Sequence, residues 1–366
     1  MQDILDRLLS KVEVQHDRIG DIVPYISCGG RYPEDYSAKN PYWWTNGFWA
    51  GMLWQMYNAT GKYKFIRTAV RIEEKLEPVL SCSGKLDHDI GFLWSPTAVA
   101  HYRVTGDESA HTRAENAAVI LAGRYNPAGE YIRAWNGEAN EGSLIIDSMM
   151  NLPLLYWMSE ESGDPRFAAV AVRHADTTAK LLVRDDGSCR HIAMLDPENG
   201  ELRAYPAGAA YSPESAWSRG HAWAIYGFAL SFRHTKELRF LNTAKKIAHY
   251  FIANITRSGY VPLCDFRAPK EPARYDTSAG ACAACGLLMI AEQVNCLERD
   301  LYIYPARSIL KELSRHYVNW TDTEDGLLQM GRVSYGTGRG YDNLIYGDYY
   351  FLEAMLMLFH RELFIW

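Results

Sequence analysis

The chain has no run of about 18 uncharged apolar residues, the length a membrane-spanning helix needs. Its opening stretch, M-Q-D-I-L-D-R-L-L-S-K-V, lacks the basic start and apolar core of a signal peptide, so a cytoplasmic location is expected. Basic charge is also short. With 38 Lys and Arg against 44 Asp and Glu, the net charge is -6, which argues against a nucleic-acid binder while leaving room for a local basic pocket. Cysteine is sparse and odd in number. The seven residues are scattered, which suits free thiols in a reducing compartment rather than a disulfide framework. Cys282-x-x-Cys285 lies in the small-residue run A-G-A-C-A-A-C-G, and no second CxxC or close His pair completes a zinc set. Core packing is the expected role of that pair, and no metal is expected.

Aromatic residues are abundant instead. The 366 residues include 11 Trp, 24 Tyr and 12 Phe, and Trp43, Trp44, Trp49 and Trp54 crowd together. Aromatic-lined clefts suit flat sugar rings, although the same side chains also fill helix interfaces. Composition leaves both readings open.

A repeat is hidden in the turns. T-G-K-Y-K-F at 60, T-G-D-E-S-A at 105, S-G-D-P-R-F at 162, T-K-E-L-R-F at 235 and E-R-D-L-Y-I at 298 each read as a helix end, a polar turn and a new helix. Gly in the first three suits a left-handed C-cap, Asp107 and Asp164 suit N-caps, and Pro165 suits a first helical turn. Apolar spacing of three and four flanks the turns, as in Leu152, Leu155, Tyr156 and Met158 before the third. The pattern predicts helices near 2-18, 46-60, 63-80, 90-105, 107-123, 142-161, 164-183, 214-234, 236-253, 275-294, 300-316 and 347-363, with little room for strands. Such spacing suits a ring of stacked helical hairpins forming a single domain over residues 1-366. The longer connections at 19-45, 81-89, 124-141, 184-213, 254-274 and 317-346 should then share one end, where functional residues belong. They carry His88, Asp89, His191, Arg267, Arg339 and Asp342.

Asp147 is the anomaly, an acid inside the oily stretch L-I-I-D-S-M-M-N-L-P (144-153). Burying an isolated carboxylate costs several kcal/mol unless it is paired, hydrogen-bonded or protonated. A satisfied structural acid and a catalytic one both fit the residue alone.

Six motifs in order resemble the unsaturated glucuronyl hydrolases of glycoside hydrolase family 88. They are W-W-T-N-G-F-W-A-G-M-L-W (43-54), H-D-I-G-F (88-92), I-I-D-S-M-M-N-L-P-L-L (145-155), S-A-W-S-R-G-H-A-W-A-I-Y-G-F-A (215-229), Y-D-T-S-A (275-279) and I-Y-G-D-Y-Y-F-L-E-A (345-354). The resemblance implies an all-α fold, the (α/α)6 barrel. It also implies action on lyase-generated oligosaccharides whose non-reducing uronate carries a C4=C5 double bond. In that chemistry an aspartic acid protonates C4 of the vinyl ether and water adds at C5. The hemiketal then rearranges, opens the ring and expels the rest of the sugar. No cofactor is implied.

By the same resemblance the acid is Asp147, with Asp89 the second acidic position beside His88, and His191 near the reacting carbons. A carboxyl donating to carbon near neutral pH needs a raised pKa, which an apolar helix and a neighbouring carboxylate supply. Asp89 also stands where a helix N-cap belongs. Trp44, Trp217 and Trp223 match family aromatics at the sugar site, and Arg219 matches a basic residue near the uronate, where a guanidinium fork suits a carboxylate. The chain departs from the family at Q-G-Y, reading Ala209-Ala210-Tyr211, and keeps only Glu214 of a following acidic pair. Ser334-x-x-Thr337-x-Arg339 keeps the spacing of a family sulfate-holding motif, S-x-x-S-x-K, with conservative exchanges. A Gly-rich loop with incidental polar residues fits that stretch equally.

The expected function is removal of the unsaturated uronate from glycosaminoglycan disaccharides, sulfated ones included. The alternatives are the sister activity on unsaturated rhamnogalacturonan disaccharides and a non-catalytic sugar-binding barrel. The expected partner is the unsaturated oligosaccharide, with neither nucleic acid nor membrane, and the protein is expected as a monomer or homodimer.

Overall fold

The computed structural model describes residues 1–336 and 341–366. Six buried helical segments form an inner ring: Phe48–Thr60, 90–105, Leu152–Ser162, Ser218–Thr235, Thr277–Gln293 and Ile345–Met357. Six more wrap them: Gln2–Ile19, Lys64–Leu76, Glu108–Ala122, Pro165–Leu182, Leu238–Ile255 and Asp300–His316. The two sets differ in sequence for a physical reason. An outer helix needs one apolar stripe, as Leu5, Leu8, Val12 and Ile19 supply in Gln2–Ile19. An inner helix is enclosed on all sides, so Thr277–Gln293 buries every residue from Thr277 to Ala291, including Cys282 and Cys285. Each inner segment packs on the next, and Ile345–Met357 returns to Phe48–Thr60, closing the (α/α)6 barrel.

Gly61, Gly106 and Gly163 end the first three inner segments at φ 70°, 70° and 69°. Lys236 takes the same left-handed conformation at the fourth turn. The Asp107 carboxylate accepts from Ala110 N–H and that of Asp164 from Arg166 N–H, opening the next helices as expected.

One predicted helix is wrong in its first half. Residues 142-161 do not form a single helix: Ser143–Ile145 is a strand, 146–150 a tight 3-10 turn, and the helix begins at Leu152. The β-branched pair Ile145 and Ile146 favours extension, and Pro153 fits a first helical turn but no interior position. The strand, β3, pairs antiparallel with β4 (Ile192–Leu195), which pairs with β5 (Leu202–Ala204). A separate hairpin joins β1 (Tyr125–Asn126) to β2 (Tyr131–Ile132). In the first pairing Leu144 faces Ala193 and Ile145 faces Ile192, so Ile146 meets His191 and Asp147, one residue further on, emerges beside it.

The helix predicted over 63-80 passes into a 3-10 stretch at Glu77, before Pro78, and the one predicted over 347-363 ends at Met357. The segment after Met357 turns under the barrel. Gln55 bonds both backbone groups of Leu363, and Trp366 stacks on Tyr350 at 6.2 Å while donating to Glu353 at 2.8 Å. At the other end, the carboxylate of Asp348 accepts from Leu327 N–H, Leu328 N–H and Tyr32 O–H, pinning two long loops to an inner helix. Among the described residues no helix is long and apolar enough to cross a membrane.

Candidate active site

The inner helices begin at the long-loop end, and the predicted acids meet there. Asp147 sits in the 3-10 turn Ile146–Met150, with a fifth of its side chain reachable by solvent. Its Oδ2 lies 3.2 Å from His191 Nε2, off the line of a hydrogen bond, and neither buried atom has a hydrogen-bond partner among the described residues. Both atoms therefore remain available to a bound molecule. The backbone fixes the histidine: Ile146 N–H donates to its carbonyl, and Ala209 N–H donates to its Nδ1 at 2.9 Å. Nδ1 is therefore an acceptor, and the proton of the neutral ring sits on Nε2, toward Asp147.

Gly208 makes this approach possible. A Cβ there would stand 2.1 Å from His191 Nδ1, and its φ of +57° suits glycine. Ala209, where the family motif has a glutamine, reaches His191 through its backbone. Its N–H serves His191 and its carbonyl accepts from Tyr335 N–H.

Asp89 stands at the start of 90–94, and its carboxylate makes no capping bond there. It accepts instead from Asn151 Nδ2 at 3.3 Å, and its Oδ2 lies 3.6 Å from His88 Nε2. His88 is buried and shares a 2.9 Å hydrogen bond with Ser148 through Nδ1. Burial lowers the His88 pKa despite the nearby Asp87 and Asp147, so the ring stays neutral. Asp87, His88 and Asp89 bring ligand atoms within 4.8 Å of one another, but the Asp87 carboxylate already accepts from Asp89 N–H.

The two acids are poised differently, and not as the oily stretch predicted. Burial, then the charges of Asp87 and Asp147, push the Asp89 carboxyl well above the ordinary range. Burial also pushes Asp147 up, but the charge and contact of His191, with His88 and Arg219 behind, outweigh it and hold Asp147 below its usual value. The raised acid in this arrangement is thus Asp89.

Aromatic rings gather at the same end of the barrel. Trp44, half-buried, lies 4.7 Å from Tyr346 and 6.4 Å from Trp223, while Trp217 lies 4.6 Å from His191. Trp223 is 1% exposed and belongs to the layer beneath Trp44. Arg219 departs from expectation. Its Nη1 donates to Asp276 at 3.1 Å, to Ser278 and to the carbonyl of Arg332, and Nη2 donates to the carbonyl of Val333. Sandwiched between Trp217 at 4.7 Å and Tyr346 at 5.1 Å, the guanidinium ties a loop to the barrel, with each Nη already donating to a protein acceptor. Arg267 is likewise engaged, by Asp186 and Ser188. Ser334 stands on the loop beyond Val333; Thr337 and Arg339 lie outside the described residues.

Sequence reasoning did not single out Ser148, Asn151 and Asp276. The first two stand in the quoted motif around Asp147, one and four residues on, and that proximity was the available signal.

A helical double barrel whose aromatic cleft holds two differently poised carboxyls is the architecture of a carbohydrate-cleaving enzyme. The profile of Glycosyl Hydrolase Family 88 matches residues 27–360, and the chain belongs to that family. It is 39% identical over 350 residues to the unsaturated glucuronyl hydrolase of Bacillus sp. (strain GL1), covering 93% of this chain and 92% of that one. It is 31% identical over 364 residues to the unsaturated chondroitin disaccharide hydrolase of Streptococcus pneumoniae (strain ATCC BAA-255 / R6), covering 97% and 91%. The crystal structure of the unsaturated glucuronyl hydrolase from Bacillus sp. GL1, described as responsible for glycosaminoglycan degradation, matches with a TM-score of 0.92. The identity there is 37%, and the match covers 98% of this chain and 96% of that one.

Proposed function

We propose that this protein releases the non-reducing-end 4,5-unsaturated uronic acid from lyase-generated oligosaccharides, glycosaminoglycan disaccharides first among them, by hydrating the C4=C5 vinyl ether. The observation that carries the reading is the facing, unpartnered pair Asp147 Oδ2 and His191 Nε2 in a cleft with a second buried acid. Family membership and the names of the relatives support the substrate class.

Asp147 hands its proton to C4, leaving positive charge shared between C5 and the ring oxygen. Water adds at C5 and returns a proton to the Asp147 carboxylate, so the acid is regenerated. The C5 hemiketal then opens and the remaining sugar leaves from C1. Asp147 must be protonated when substrate is bound, and the uronate helps. It brings a like charge and expels water, both of which raise a carboxyl pKa. Asp89, already favouring its neutral form, offers an O–H to the substrate rather than a repelling charge. Trp44, half-buried, supplies an apolar face for the sugar, and the buried Trp217 and Trp223 support the site around it. Carboxylate-spacing rules for retaining and inverting enzymes do not apply, because no nucleophile attacks C1.

The test is the ultraviolet absorbance of the double bond in unsaturated disaccharides from chondroitin, heparin, hyaluronan, gellan and rhamnogalacturonan. Decay on glucuronyl substrates is expected. Decay on the rhamnogalacturonan member alone would select the sister activity, and no decay on any would select a sugar-binding barrel. Ser334, Thr337 and Arg339 are assigned to a substrate sulfate by their spacing and donors. Arg339→Ala should slow sulfated substrates selectively, and equal loss on unsulfated ones would remove that assignment.

A further inference from the structure

We infer that Asn151 is a positioning residue for the acid pair: it caps the helix that begins after Asp89, so that Asp89 is released to face the cleft, and its amide N–H holds the released carboxyl in place. The inference rests on the proposed role of Asp89 and Asp147 in the hydration. Asp89 occupies the N-cap position of Ile90–Trp94, where an Asp ordinarily accepts the N–H of the second or third helical residue. Here Asn151 Oδ1 accepts the Phe92 N–H at 2.8 Å in its stead. The same planar amide then points Nδ2 at Asp89 Oδ1, 3.3 Å away. The Phe92 donor fixes the amide orientation, because a flipped amide would set N–H against N–H.

The approach is close and fully enclosed. Asn151 is 1% exposed, and a Cβ on Gly91 would stand 2.6 Å from its Cα, which accounts for the glycine in H-D-I-G-F. The geometry also couples the two acids. Asn151 caps the turn Ile146–Met150 that presents Asp147, and Ser148 in that turn holds His88. One short turn thus carries the first acid and grips both the second and its neighbour.

Asn151→Asp separates capping from positioning. It retains an acceptor for Phe92 N–H but sets a carboxylate, without an N–H, against Asp89. The expected result is a kcat lower by roughly 10- to 100-fold, with little change in KM. The limb of the pH–rate profile governed by Asp89 should move to higher pH, since a lost donor and an added negative charge both favour its neutral form. Asn151→Ala should lower Tm as well, having lost the cap. A wild-type kcat and pH profile in Asn151→Asp would overturn the inference.

A second measurement does not depend on turnover. Near pH 8, Asn151→Asp should lower Tm more in the wild type than in an Asp89→Asn background; equal effects would show that the two side chains are uncoupled. If the wild type turns over no unsaturated disaccharide, the proposed function fails. The melting cycle still decides the contact.

Discussion

At the residue scale the proposed chemistry depends on two atoms that the protein leaves facing each other. Asp147→Asn keeps the shape of the side chain but cannot donate the proton, so turnover should fall by about two to four orders of magnitude while Tm holds. Near-normal decay of the double bond in that variant would remove Asp147 as the donor. Gly208→Ala tests the other half of the pair. The new methyl meets His191 Nδ1 at 2.1 Å in a left-handed backbone, so the Ala209 N–H can no longer reach the ring. Activity should drop at least tenfold by the roughly 1 Å misplacement argument, with Tm lowered by only a few degrees. Unchanged kcat would mean that His191 needs no such anchor. Asp147 was legible as an oddity in its own stretch and His191 as a histidine in a long loop, but only the family resemblance implied their meeting. It follows from the register of Ser143–Ile145 on Ile192–Leu195, a pairing across about half a hundred residues that no local pattern encodes.

At the scale of elements, the hairpins were readable because their signals are local. A glycine at the helix end and an aspartate one residue on determine cap and entry within a few residues, and Gly106 with Asp107 and Gly163 with Asp164 do so here. What failed was the start of 142-161, where three β-forming residues were absorbed into a helical apolar count. Arg219 shows the same limit for function. Its motif was plain, but its partner Asp276 opens a different inner helix, 57 residues away. That pair is enclosed at 3% and 0% exposure, and Asp276 also caps Thr277–Gln293 through Ser278 and Ala279. Asp276→Asn keeps an acceptor for the cap but leaves the guanidinium without its counter-charge. Breaking a buried pair in this way costs about 3–5 kcal/mol, so a fall in Tm of several degrees is expected. Because Arg219 ties the carbonyls of Arg332 and Val333, KM should rise as that loop loosens. A variant with wild-type Tm and KM would show that the carbonyls and flanking rings suffice to hold Arg219.

At the scale of the whole molecule, the barrel axis carries a second kind of acid, one closed off from the cleft. Glu353 lies on the inner helix Ile345–Met357, accepts from Tyr349 O–H at 2.9 Å and Trp366 N–H at 2.8 Å, and thereby joins the ring to the segment beneath it. Burial pushes its pKa up to about 7, against the opposing bonds from Tyr349 and Trp366. Its native form therefore holds a proton that the unfolded chain releases near pH 4.5. Where the native state binds more protons, stability falls as pH rises. The contribution of Glu353 is complete below about pH 4.5 and is lost progressively up to about pH 7. Buried His174 and His221, pushed down to about 3 and about 4, act in the opposite sense below pH 6.5, because there the unfolded chain binds the extra protons. The two trends overlap in acid, so wild-type Tm alone does not isolate either one. Glu353→Gln does, since an amide oxygen still accepts from Tyr349 and Trp366 but nothing titrates. Melting curves of both proteins from about pH 5 to 8.5 should diverge, with the variant gaining on the wild type as pH rises and the gap levelling just above pH 7. Parallel curves would mean that Glu353 is ionised throughout, and that the contacts of Tyr349 and Trp366 hold a charged carboxylate in the barrel.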